Sequence, residues 1–421
     1  TSNLRIGENA GDAIASGGNY NTVVGDEAGT AITTGDQNTF VGYASGDAET
    51  TGGENTAVGY GSLGSDTTGS RATAVGRNAL ATQNLTAELN SYNTAFGWSA
   101  GEAVTTGIRN TLIGGSAGDA LTDADNNTAL GYAALGADTK GSRSVAIGFQ
   151  ALATQNFTSS TDSNNVAIGY DSGYSVTTGT LNTLIGANAG DNITTGGGNT
   201  GVGSAALDDC VGGSSNTAFG IRALPHVSSG SNNTGVGNNV GDGLAGTNLT
   251  TGAGNVLIGY RCDANANDTS YSIVIGYSSV SKGSSTGFIS PNDGAVYQGN
   301  NSSSWSTTSD RRLKKNITDS TVGLAEINQL QIRNFEYRTA EELDADDGLL
   351  ATDVINKTGT QVGVIAQEIQ AVLPNTVSTE STGVLSVNPD NLTWHLVKAV
   401  QELSAKNTAL EARITALENA E

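Results

Sequence analysis

Side chains able to do covalent or metal chemistry are scarce in this chain. Among 421 residues there are two histidines, His226 and His395, and two cysteines, Cys210 and Cys262. The cysteines do not form a C-x-x-C pair, and two thiols make no disulfide framework, so they read as small unpaired residues of a reducing compartment. His226 follows Pro225 in a turn, and His395 is expected to open a helix. Neither belongs to a Ser-His-Asp set or a paired-ligand pattern, so we expect no metal site and no cofactor. A serine nucleophile in such a chain needs a base other than histidine, and lysine serves where like charge or burial lowers its proton affinity. The dense cationic stretch is Arg311-Arg312-Leu313-Lys314-Lys315, directly after Ser309-Asp310. On its own that stretch reads as a solvated basic patch. Gly59-Tyr-Gly-Ser-Leu-Gly64 satisfies G-x-G-x-x-G, but no helical period follows it, so it carries no nucleotide site. Acidic pairs such as Asp208-Asp209 fall in turns and are expected to face solvent.

What positions these residues is visible in the composition. Glycine supplies 58 residues, aromatics only 5%, charged residues only 14%, and Met is absent. The net charge of −22 disfavours phosphate backbones, which excludes nucleic acid as a partner. No apolar run is long enough to insert in a membrane as a helix. The chain begins at Thr1 with no basic region or apolar core after it, so we expect no signal peptide and a fragment or processed chain.

The glycine has a period. Asn21-Thr-Val-Val-Gly25, Asn38-Thr-Phe-Val-Gly42 and Asn55-Thr-Ala-Val-Gly59 share the form N-T-x-Φ-G, with Φ apolar. The anchor glycines are residues 7, 25, 42, 59, 76, 97, 114, 131, 148, 169, 186, 203, 220, 237, 259 and 276, and eleven of the fifteen steps are 17 residues. Longer steps insert residues at one phase, near Asn84–Asn90 and Asn156–Ser163, and Ala79-Leu-Ala-Thr-Gln-Asn84 returns 72 residues later as Ala151–Asn156. Each coil predicts a short strand of period two, a glycine of positive φ, a second short segment and a polar turn. Sixteen coils stacked at strand spacing make a rod of about 75–80 Å. One coil buries little apolar surface, so its stability must come from neighbouring coils and partner chains.

The repeat over residues 1–283 resembles the head of trimeric YadA-like adhesins, though its coils are longer than that family's usual unit. The resemblance implies a left-handed parallel β-roll solenoid in a homotrimer, hence a mainly β fold class. After Gly276 the repeat fades into a Ser-rich neck, 284–308. Residues 309–421 then hold 10 of the 19 basic residues and show helical periodicity, which marks a small separate α+β domain. Ser309-Asp-Arg-Arg-Leu-Lys314-Lys-Asn-Ile317 and Gly363-Val-Ile-Ala-Gln-Glu368 resemble the peptidase S74 family, the intramolecular chaperones that end phage tail fibres and endosialidase tailspikes. The resemblance implies that Ser309 is a nucleophile, that Lys314 is its general base, and that the bond cut is Thr308–Ser309. It departs at Val387-Asn388-Pro389-Asp390, where the family often has a Tyr after the late apolar strand. Leu396, Val400, Leu403, Asn407, Leu410, Ile414 and Leu417 step alternately by 4 and 3, an a/d seam that predicts a coiled coil over about 394–421, with Asn407 fixing its register.

These readings converge on a structural and adhesive virion protein. We expect a trimeric phage tail fibre assembled in the host cytoplasm, meeting a host cell-surface receptor of glycan or outer-membrane character. A missing N-terminal region would join it to other tail proteins. A bacterial trimeric surface adhesin would need a secretion signal and an anchoring barrel, and a tailspike depolymerase would need a carboxylate cleft for which the sequence gives no sign.

Overall fold

In each N-T-x-Φ-G motif, T-x-Φ forms one three-residue strand, such as Thr56–Val58, whose middle residue points inward while its neighbours point out. In the computed structural model the residues described are 2–244, 246, 248–290, 296–298, 305–306, 309–343, 355, 357–379 and 383–420. The chain divides into two units, Thr1–Thr308 and Ser309–Glu421. In the first unit the strands stack in parallel and in register, Val23 on Phe40, Phe40 on Ala57 and Ala57 on Ala74. The result is a parallel β-solenoid of 17 turns. The inward column runs through Leu112, Ala146 and Leu184 to Leu257 and Val274, all fully buried. The ladder runs one strand beyond the last anchor glycine. Gly287–Ser290 pairs in parallel with Ile273–Gly276, with Ser290 opposite Gly276. Residues 284–290, assigned to the neck from sequence, are therefore the last turn of the solenoid. The strands Val296–Gln298 and Trp305–Ser306 follow in antiparallel pairing.

The structure explains the invariant letters of the repeat. The Asn38 backbone N–H donates to Asn21 Oδ1 at 2.9 Å, while Asn38 Nδ2 donates to the Gly52 carbonyl at 3.0 Å. Asn55 repeats both bonds, to Asn38 Oδ1 at 3.0 Å and to the Gly69 carbonyl at 2.8 Å. A carboxamide both donates and accepts, so a column of asparagines satisfies the buried backbone of each coil and ties it to the next. The anchor glycine is needed for close approach. Gly59 has φ +136°, and a Cβ placed there would lie 2.5 Å from the Gly76 carbonyl oxygen.

The second segment of each coil is a chain of turns rather than a strand. Its interior is filled mainly in two ways, with Leu207–Cys210 and Leu224–Val227 outside both. Where the fourth residue after the anchor is glycine, as at Gly29 and Gly190, an aliphatic residue three further on, Ile32 or Ile193, fills the space. Where leucine stands there, as at Leu63, Leu80, Leu135 and Leu152, the residue three further on is Asp66, Gln83, Asp138 or Gln155, all buried. These polar residues form a relay: Gln83 Nε2 donates to Asp66 Oδ2 at 2.5 Å, and Asn93 Nδ2 donates to Gln83 Oε1 at 2.7 Å. Asp138, Gln155 and Asn165 repeat it.

Glu49 breaks this exchange by following Gly46 where an aliphatic residue is usual. It is fully buried, accepting from the Gly52 N–H at 2.7 Å and from Asn55 Nδ2 at 3.2 Å. Burial, reinforced by the charge of Asp66 on the next coil, pushes its carboxyl up to about 8. A folded pKa above the unfolded value means that the stability from this group is fully present below about 4.5 and lost as pH rises towards 8. The thermal midpoint of the solenoid is expected to fall from pH 5 to pH 9, with a Glu49 share on the order of 4 kcal/mol per chain. Glu49→Gln should flatten that slope. Equal slopes in the two proteins would place the pH dependence elsewhere.

In the second unit, helix α1 (Leu324–Ile327) precedes an antiparallel pair, Arg333–Phe335 with Gln361–Gly363. Helix α2 (Ala366–Val372), the pair Val377–Thr379 with Leu385–Val387, and helix α3 (Pro389–Glu418) complete it. Glu402 of α3 accepts from the Leu324 N–H at 2.9 Å, supplying the acceptor that no helix offers its own first-turn N–H groups. Because α3 starts at Pro389, where the fixed φ of proline suits a first helical turn, His395 lies inside the helix rather than opening it. The seam residues Leu396, Val400, Leu403, Leu410, Ile414 and Leu417 are all exposed on the single chain.

Candidate active site

The site is built from one short turn. Asp310 caps a 3₁₀ turn at Arg311–Leu313, its Oδ1 accepting from the Arg312 N–H at 2.8 Å. The Leu313 N–H donates to the Asp310 carbonyl, and the Lys314 N–H to that of Arg311, each at 3.1 Å. This reversal brings Lys314 Nζ to 2.7 Å from Ser309 Oγ. A hydroxyl and an amine in hydrogen-bond contact can exchange a proton, the geometry required of a nucleophile and its base. Both side chains are exposed on the single chain. Thr308, the other half of the bond expected to be cut, lies outside the described residues.

The second motif has a clear physical role. Gly363 ends a strand and packs under the Phe335 ring, where a Cβ would come within 3.0 Å of that ring. Glu368 stands in the first turn of α2 and receives both prongs of Arg333, Nε at 3.0 Å and Nη2 at 2.8 Å. Arg333 holds the Glu368 carboxyl below the usual carboxylate range. Sequence reasoning singled out neither Arg333 nor the Asp310–Arg312 pair.

The discounted candidates fall into structural places. Gly59 to Gly64 is a strand end and its turns. His226 bridges coils, with Nδ1 2.8 Å from Asp209 and Nε2 3.2 Å from Asp242, so Asp209 is paired rather than simply solvated. Burial pushes the Cys210 thiol up to about 11 and raises that of Cys262, which keeps both unreactive at neutral pH. Among the described residues no group of three or more His, Cys, Asp or Glu could hold a metal.

The solenoid has two further surfaces. The residue after the anchor glycine is often aromatic and exposed, and successive rings stack. Tyr43 lies 5.3 Å from Tyr60, and Phe149 lies 5.6 Å from Tyr132 and 5.3 Å from Tyr170. These rings stand beside the outward Φ residues, of which Phe96 is 58% and Phe219 50% exposed. The two inserted turns are anchored alike. Leu85 and Phe157 are buried, and their N–H groups donate to Asp66 and Asp138. The first insertion bridges Asn90 to Ser70, and the second pairs Thr161–Asp162 with Gly141–Ser142.

Residues 309–378 match the family model Peptidase_S74, described as chaperone of endosialidase. No curated protein and no solved structure matches the chain. A chaperone-of-endosialidase domain that follows a 17-turn β-solenoid fits a tail-fibre- or tailspike-like protein with a C-terminal chaperone domain, and supports a trimerisation chaperone of a phage tail protein.

Proposed function

We propose that this chain is a trimeric phage tail fibre whose C-terminal domain aligns three copies, cuts the chain at Thr308–Ser309, and leaves a solenoid that meets the host surface. The observation that carries the reading is the chaperone match beginning at Ser309, the residue whose hydroxyl contacts Lys314. Homotrimer formation is supported by what a single chain leaves uncovered. The stacked aromatics, the outward Φ residues and the α3 seam are apolar and repeat with the period of the coil or the heptad. Identical chains in parallel register meet such rows with like residues at equal height.

The cut would use this chain's own atoms. Lys314 Nζ takes the Ser309 proton as Oγ attacks the Thr308 carbonyl carbon. The C–N bond to the Ser309 nitrogen breaks, that nitrogen takes the proton from Lys314, and an ester joins Thr308 to Ser309 Oγ. Water hydrolyses the ester, leaving a Thr308 carboxylate. In a free chain Lys314 is solvated; burial on assembly favours the neutral amine and times the cut after trimerisation. Separation of the guide then makes unfolding hard to reverse.

The inserted turns 84–90 and 156–163 are the proposed contacts with a glycan or other outer-membrane component. They are duplicated, anchored and extra to the coil, and insertions of this kind cost a solenoid little. Trimming four residues from each, so that its step returns to 17 residues and the buried Leu85 and Phe157 are kept, is expected to leave the solenoid folded, by circular dichroism, while abolishing adsorption to the bacterium that the fibre binds. Unchanged adsorption would move recognition to another surface.

A further inference from the structure

We infer that Asp310 and Arg312 act together as positioning residues for the cut, Asp310 folding Lys314 back onto Ser309 and Arg312 keeping the Asp310 carboxylate away from the Lys314 amine. The inference rests on the autocleavage reading above and adds two residues to it. Five extended residues would carry Lys314 roughly 17 Å from Ser309. The capped turn closes that span to 2.7 Å between Nζ and Oγ. A cap alone needs only one carboxylate oxygen and no charge.

The charge needs its own partner. Asp310 is the only acid between Ser309 and Ile317, alongside Arg311, Arg312, Lys314 and Lys315. A free carboxylate beside Lys314 would hold the proton on the amine and so block the base. Arg312 prevents this by gripping both oxygens, with Nε 3.1 Å from Oδ1 and from Oδ2, and Nη2 2.6 Å from Oδ2. The guanidinium, with the Arg312 N–H, holds the Asp310 carboxyl below the usual carboxylate range. Among the described residues no acid, Asp310 included, makes an ion pair with Lys314.

The test is the rate of chain breakage against pH in the full-length protein, followed on denaturing gels. Arg312→Gln is expected to move the acid limb of the profile up by about one pH unit while leaving the high-pH plateau intact. Arg312→Lys should restore part of that shift. Asp310→Ala should lower the plateau about tenfold or more, with no upward shift. Asp310→Asn, which keeps the cap acceptor, should recover most of the plateau. Arg312 is largely exposed, so its variants are expected to fold, and native gels check their assembly. Breakage in wild type with an unchanged profile in Arg312→Gln and an unchanged plateau in Asp310→Ala overturns the inference alone. A wild-type chain that assembles and never breaks overturns the cleavage reading and this inference with it.

Discussion

Ser309→Ala and Lys314→Ala chains are expected to remain whole while assembling as wild type does. Removing the hydroxyl leaves no atom to form the ester. Removing the amine leaves no base in contact with that hydroxyl, and the loss of a positioned base costs about 10²–10⁴-fold in rate. Assembled wild type should give two bands on a denaturing gel, and each variant a single band at the full 42.4 kDa. Lys314→Arg is the sharper control, since it keeps the charge and length but does not surrender its proton at accessible pH. It too should stay whole. Two bands from any of the three would move the chemistry away from this pair. One full-length band from assembled wild type would leave the domain a chaperone without protease activity.

Gly59→Val is expected to break the solenoid. Gly59 sits at φ +136°, a conformation that costs a branched residue about 1–3 kcal/mol, and its new Cβ would lie 2.5 Å from the Gly76 carbonyl oxygen. The coil cannot move away without breaking the parallel ladder on both sides, Thr56–Val58 with Thr39–Val41 and with Thr73–Val75. Gly283 separates the two effects, because its φ is +127° and nothing lies within 4 Å of a Cβ there. Gly283→Val should therefore shift the thermal midpoint by only a few degrees, while Gly59→Val should give aggregated or proteolytically open protein. Equal midpoints for the two variants would contradict the close-stacking account of the anchor glycines.

The solenoid was legible because its contacts repeat. A residue and its partner on the next coil lie 17 positions apart in most steps, so spacing alone exposes both the glycine and the asparagine columns. Legibility failed where the period did not mark the contact. The last turn carries Ser290 instead of glycine, and so its strand was read as neck. The exchange between leucine and aliphatic filling was hidden because it joins two positions of one coil whose types alternate, and Glu49 departs from both patterns. In the second unit Arg333 and Glu368 are 35 residues apart with no period between them, so only the folded chain shows why that glutamate is in the motif. The Ser309–Lys314 pair was found through a motif, but the turn that brings it together depends on Asp310, to which sequence assigns no role of its own, and on Arg312, which reads from sequence as part of a solvated basic run.

We propose above that residues 309–421 bring three solenoids into one assembly. Sedimentation equilibrium of the uncut Ser309→Ala chain tests it most directly, because no loss of the C-terminal domain can then confuse the mass. The account predicts a single species of about 127 kDa, three times the 42.4 kDa chain, and a loss of that species when residues 309–421 are absent during folding. A stable, folded species near 42.4 kDa at micromolar concentration would contradict it.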